Sequence, residues 1–247
     1  GIASIEAFGS VTKAELAACG AILAYIEKTQ IGERPALAHP VHDAPDTAMS
    51  IDAATRKNLE LMQTLSGEKH GSLFKAIDLT VSNAGARLLS ERMMSPSISP
   101  EEIASRQDSI AYLLGRPELA SRLLEATKQL PDMPRALSRL ALNRGGPRDL
   151  QAVSKGLVIG RSIQETLDQA GELPEELTLV SERLSAVPVE LSKLLQTALD
   201  DELPLLMRDG GFVRTGFEPE LDELRKLRDD SRRVIAQMQA DYAAETG

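Results

Sequence analysis

Apolar residues recur three and four positions apart along most of this chain, the spacing that places them on one face of an α-helix. Leu16, Cys19, Ile22, Leu23 and Ile26 set the pattern and predict a first helix from Lys13 to about Gln30, with an apolar stripe that needs a partner. In "SIDAATRKNLEL", residues 50 to 61, Ser50 or Asp52 is placed to cap a helix start by accepting free backbone N–H groups. The predicted helix puts Ala54, Asn58, Leu61 and Leu65 on one face, and Thr55, Leu59 and Met62 on another. Arg56 and Glu60 stand four apart and can pair, while Asn58 on the apolar face calls for a hydrogen bond to a neighbouring backbone.

Further along, Ser72 precedes Leu73, Phe74 and Ile77, and Ser82 or Asn83 precedes Leu88, Leu89 and Met93. Ser99-Pro-Glu-Glu restarts a helix with proline in its first turn, where a missing N–H costs nothing. Helices then recur to about Asp200, broken at "GRPE", "LPDMPR", "LNRGGPRDL", "AGELPEE" and "VPVE". After "LPLLMRDGGFVRTGF", a β-leaning turn, Pro219 opens a last helix to about Thr246, roughly 40 Å long at about 1.5 Å per residue. Leu221, Leu224, Ile235, Met238 and Tyr242 follow a seven-residue pattern there, with Arg228 and Ser231 in the intervening slots. Pairs at four-residue spacing are expected between Asp222 and Lys226, Arg225 and Asp229, and Asp229 and Arg233.

Composition supports a nearly all-helical reading: aromatic residues are 3% of the chain and tryptophan is absent, while strands favour aromatic and β-branched side chains. The expected fold is all-α, a multi-helix core bundle with a long protruding helix. With 28 basic against 37 acidic side chains and a net charge of −9, the surface does not suit wrapping DNA by itself. Cys19 is the sole cysteine, which excludes an intrachain disulfide and a thiolate cluster. No apolar run reaches membrane-spanning length and no basic-then-apolar leader is read, so the cytoplasm is the expected location.

Candidate chemistry is sparse. His39 and His42 near Asp43 lie in the Pro-rich stretch of residues 31–46, but no third metal ligand follows at usual spacing, so they read as turn residues. "SKGLVIGRS" offers Gly156 and Gly160 before Arg161 and Ser162, one residue short of a phosphate-binding loop and without its lysine. The carboxylates Glu101 and Glu102, or Asp200, Asp201 and Glu202, stand at helix ends, where capping and solvent exposure are the simpler roles. Arg144 with Arg148, and Arg232 with Arg233, are flanked by acids and read as solvated surface. No catalytic constellation, cofactor site or metal site is expected.

Taken together, "MSIDAATRKNLEL", "GSLFKAIDLTVSNAGARLL", "RQDSIAYLL", "LPDMPRALSRLAL" running into "PRDL", and "RDGGFVRTGFEPELDELR" resemble the middle of the MutS family of DNA mismatch-repair proteins, in the family's order and over nearly the whole chain. Pro35, Pro40 and Pro45, each holding the residue before it in extended geometry, predict an extended connector over residues 31–46. The resemblance implies that residues 1–30 match the end of a connector and its passage into the core. It implies that residues 47–205 match the helical core, and residues 206–247 a turn and the outgoing half of a lever that stops before a DNA clamp. Its structural motif residues fall on Asp52, Thr55, Arg56, Asn58, Leu59, Glu60, Arg148, Asp149, Gly210, Gly211 and Leu221.

The family's Phe-x-Glu mismatch reader is absent, since Phe8, Phe74, Phe212 and Phe217 each lack Glu two residues on. The resemblance therefore implies a non-enzymatic piece that couples ATPase state to clamp movement. ATP and Mg would bind in another domain of the parent, a DNA-dependent ATPase whose partners are mismatched DNA, MutL and a second MutS subunit. Three other readings are a MutS-like paralogue acting on other DNA structures, a stand-alone helical interaction scaffold, and an unrecognised helical enzyme, which predicts a pocket with converging perturbed groups. The chain departs from many relatives at "SERMMSP", which lacks their Arg-Trp pair, and at Asp132-Met133-Pro134-Arg135, where they have Asp-x-Glu-Arg.

Overall fold

A computed structural model describes residues 12–29, 37 and 48–246. The elements are α1 (Lys13–Thr29), α2 (Ala53–Asn58), α3 (Leu73–Ile77), α4 (Asn83–Met94), α5 (Pro100–Leu114), α6 (Pro117–Lys128), α7 (Met133–Ala141), α8 (Pro147–Asp168), α9 (Glu175–Ser185), α10 (Val189–Ala198), a 3-10 turn (Met207–Asp209) and α11 (Pro219–Thr246). Among the described residues there is no β-sheet, only two isolated antiparallel bridges, Ala48 with Ser97 and Leu199 with Val213. The all-α expectation therefore holds, and each proline- or glycine-marked break from "GRPE" to "VPVE" separates two helices. The stretch with His39, His42 and Asp43 lies outside the described residues.

Helix starts follow local hydrogen bonding. Ser72, Ser82 and Ser99 each accept a backbone N–H three residues on, from Lys75, Gly85 and Glu102. Each satisfies one of the donors that a helix start leaves free. Asp132 caps α7 through Arg135 N–H and also takes both terminal nitrogens of Arg87 on α4, at 3.0 and 2.8 Å. The Arg87 guanidinium beside it holds the Asp132 carboxyl below its ordinary range.

Helix α8 is the spindle of the bundle, touching α6, α7, α9 and α10. Its Val153 and Leu157 are buried with Ala136 of α7, and Met133, Leu140, Val187 and Leu195 pack around them. Leu167 is 1% exposed and Pro147 is also fully buried. The two glycines that resembled a degraded phosphate loop sit in the middle of this helix and are buried. A Cβ on Gly156 would lie 2.0 Å from Met133 Sδ, and one on Gly160 would lie 3.4 Å from Leu184 of α9. Their spacing of four puts both on one side of α8; at Gly156 the lack of a side chain lets Met133 of α7 approach closely, whereas a Cβ on Gly160 would make an ordinary contact with α9.

Polar ties bind the periphery. Ser181 donates to Asp168 across α8 and α9 (2.7 Å), Tyr112 donates to Ala170 C=O (3.1 Å), and Arg92 of α4 pairs with Glu176 of α9 (2.8 Å).

The segment around α2 corrects three expectations. The helix ends at Asn58 instead of running to Leu65, because Glu60 adopts a left-handed backbone with φ 47°. Leu73 N–H and Phe74 N–H then donate to the carbonyls of Glu60 and Leu61, at 3.0 and 2.8 Å, so the start of α3 is seated on the turn. Leu61 is buried, but Leu59 and Leu65 are 57% and 61% exposed, and the two-faced helix does not exist. Asn58 is exposed and does not tie α2 to a neighbour. The Arg56–Glu60 pair does not form either, since Glu60 accepts Leu65 N–H at 2.6 Å.

Candidate functional site

The junction where α11 leaves the bundle brings together residues from α10, the glycine-rich turn and the first turns of α11. Leu199 steps out of α10 into extended geometry and is buried. It pairs with Val213: Asp200 N–H donates to Phe212 C=O (2.9 Å) and Arg214 N–H donates to Ala198 C=O (2.7 Å). Gly210 and Gly211, at φ 67° and 76°, allow the return between these two segments, a backbone region closed to most side chains.

Two arginines fasten the junction. Arg214 donates from Nε and Nη2 to Leu199 C=O, at 3.1 and 3.0 Å, and from Nη2 to Asp201 at 2.9 Å. Arg225, one turn into α11, donates to Val213 C=O (2.7 Å) and to Asp222 (3.1 Å). Asp222 also accepts Gly216 N–H at 2.6 Å. The planar guanidinium, with five donors in a fixed fork, suits this kind of bridging between backbone carbonyls and a carboxylate.

Beyond this clasp α11 is exposed to solvent. Leu221, Asp222 and Arg225 are half-buried, and every residue from Lys226 to Ala244 is exposed. The four-residue pairs expected on α11 are replaced by Arg225 with Asp222, Arg228 with Asp229 and Arg233 with Asp230. Arg225 and Asp222 are committed to the clasp behind them, which turns Arg225 away from Asp229.

The motif residues separate into three places. Asp52 and Thr55 close the start of α2, with Thr55 N–H and hydroxyl both on the Asp52 carboxylate at 2.9 and 2.7 Å. Those bonds, the backbone N–H first, hold the Asp52 carboxyl below its ordinary range. Arg56, Asn58, Leu59 and Glu60 form the end of α2 and the turn after it. Asp149 accepts Gly146 N–H (2.9 Å) and lies 3.5 Å from Arg139, while Arg148 is exposed. A Cβ on Gly146 would be 3.7 Å from Leu205 C=O, so the start of α8 lies next to the segment leading into the clasp. Gly210, Gly211 and Leu221 belong to the junction itself.

Arg214, Arg225, Asp201 and Leu199 were not legible as a group. Their signal is a Gly-Gly pair followed by Phe-Val-Arg, a turn-then-extended pattern that periodicity alone does not score. Among the described residues no cluster of three or more His, Cys, Asp or Glu side chains is placed to hold a metal ion. No described helix is long and apolar enough to cross a membrane. The junction is thus a place where segments are held, with donors directed at backbone carbonyls.

Comparison with known proteins agrees with this architecture. The chain matches the family described as MutS domain III over residues 54–245. It is 51% identical over its whole length to the DNA mismatch repair protein MutS of Rhizobium meliloti (strain 1021), and spans 27% of that relative's length. A helical bundle with a long outgoing helix, one family match over most of the chain and a relative at this identity lead to one conclusion: the chain belongs to the MutS family.

Proposed function

We propose that this chain is the core and outgoing lever of a MutS-type mismatch-repair protein, and that it couples the state of an ATPase elsewhere in the parent to movement of a DNA clamp. Residues 47–205 would be the core and 206–247 the turn and lever. Mismatch reading, ATP and Mg binding, and contacts with MutL and a second subunit belong on this reading to other parts of the parent, acting in the cytoplasm.

One observation carries the proposal: α11 is about 42 Å long, at about 1.5 Å per residue over 28 residues, and the clasp of Arg214 and Arg225 fastens its base to the bundle. A stiff element fixed at one end converts a small rotation there into a larger displacement at its tip. The clasp of Arg214 and Arg225 sits where that rotation would enter.

Two measurements test this. Anisotropy titration of this chain against matched and mismatched duplex DNA should give weak, salt-sensitive binding with no mismatch preference; tight mismatch-selective binding would mean that the core itself reads DNA. In the full-length protein, Arg214→Ala should keep basal ATP turnover and weaken its response to mismatched DNA. An unchanged response would remove the clasp from the transmission path.

A further inference from the structure

Two neighbouring cations at the end of α2 have no carboxylate. Glu60 stands at pairing distance in sequence from Arg56, but the left-handed turn directs its carboxylate to Leu65 N–H. Among the described residues neither Arg56 nor Lys57 forms an ion pair, in a chain with nine more acidic than basic charges. Arg56 Nε is buried without an acceptor. An enclosed donor of this kind has lost its water without gaining a partner, which costs more than a satisfied bond returns.

Both cations line a cleft of about 390 Å³ whose other walls include Leu61, Met62, Leu65 and Met94. Leu61 is buried and Leu65 is 61% exposed, so the apolar lining runs from the core to the surface. Methionine walls adapt to irregular apolar guests. Opposite a double positive charge, this lining matches a guest that is acidic at one point and apolar beside it.

From this charge complementarity we infer that the cleft docks a protein segment presenting an Asp or Glu side chain next to an apolar one, with the carboxylate on Arg56 and Lys57 and the apolar group against Met62 and Met94. A DNA phosphate backbone fits less well, because it offers nothing for the apolar wall. The inference rests on the reading that this chain works within a larger protein, another domain of which supplies the segment.

Zero-length carbodiimide coupling tests it, since the reagent joins an amine only to a carboxylate already in contact. Treatment of the full-length protein, followed by peptide mass spectrometry, should join Lys57 to an Asp or Glu outside residues 48–246 that has an apolar neighbour. Arg56→Gln, which keeps Lys57 and the fold as judged by an unchanged melting temperature, should lower that product at least fivefold. The proposal is overturned if Lys57 couples to nothing or only within its own cleft, or if Arg56→Gln leaves the yield unchanged. It is also overturned if the product joins two copies of the 247-residue chain, or if duplex DNA alone shields Lys57 from acetylation. None of these readouts involves ATP turnover or mismatch preference, so they stand or fall apart from the coupling role.

Discussion

Helices α8 and α11 are the two longest among the described residues, and they are held in opposite ways. Seven residues of α8 are buried, and Gly156 lets α7 close on it. Helix α11 presents almost its whole length to solvent and is fastened by arginine bonds at its first turns. One is stabilised by burial and close packing, whose loss is felt throughout the bundle. The other depends on a few directional bonds, whose loss is felt locally.

The largest effect is expected at α8. Leu167→Ala should lower unfolding stability by about 3 kcal/mol, from lost burial plus the cavity left behind, read as a lower urea midpoint. Gly156→Val should cost about 2 kcal/mol by driving a side chain into Met133, and Met133→Ala in the same chain should return part of it. If Gly156→Val were neutral, the close approach of α7 and α8 would not be a constraint.

At the clasp, Arg214→Ala should lower the global unfolding free energy by less than about 0.5 kcal/mol. Amide exchange at Asp200 and Arg214 should nonetheless accelerate about tenfold, with α8 amides unchanged. Equal acceleration in α8 would show that the two regions open together.

The smallest effect is a pH dependence. Asp132 has its native pKa lowered by Arg87, so its contribution is complete above the ordinary value of 3.8 and is lost as pH falls through the lowered value. The gap in urea midpoint between wild type and Asp132→Asn should therefore be constant near neutrality and close in acid. A gap that persisted in acid would assign the effect to packing.

Much of this contrast was legible in the sequence. Prolines and glycines marked the helix breaks because they act locally on the backbone, and the bounds of α11 followed from Pro219 and an unbroken periodic run. The α2 region misled because Arg56 and Glu60 satisfy the four-residue rule only if the helix continues. A left-handed residue at position 60, which the seat of α3 requires, breaks that premise. Asn58 failed for the same reason: the face to which it was assigned ends with the helix. The clasp escaped notice because it joins Leu199 to Arg214 and Val213 to Arg225 through backbone carbonyls, which carry no residue-type signal. The buried glycines of α8 were visible only as a motif that fell short of phosphate binding, since close packing is a property of two helices and one sequence segment shows only its own half.

The polar nature of the clasp has a thermal consequence. Heat-capacity change on opening follows mainly the apolar surface that becomes hydrated. Releasing Arg214 and Arg225 from their carbonyls exposes little such surface, whereas separating α7 from α8 exposes Val153, Leu157 and their neighbours. The free energy of freeing α11 should thus vary almost linearly with temperature, while that of opening the bundle is strongly curved. On cooling past the bundle's optimum the hold of α8 on its neighbours weakens, while the attachment of α11 keeps nearly constant strength for as long as α10 stays folded.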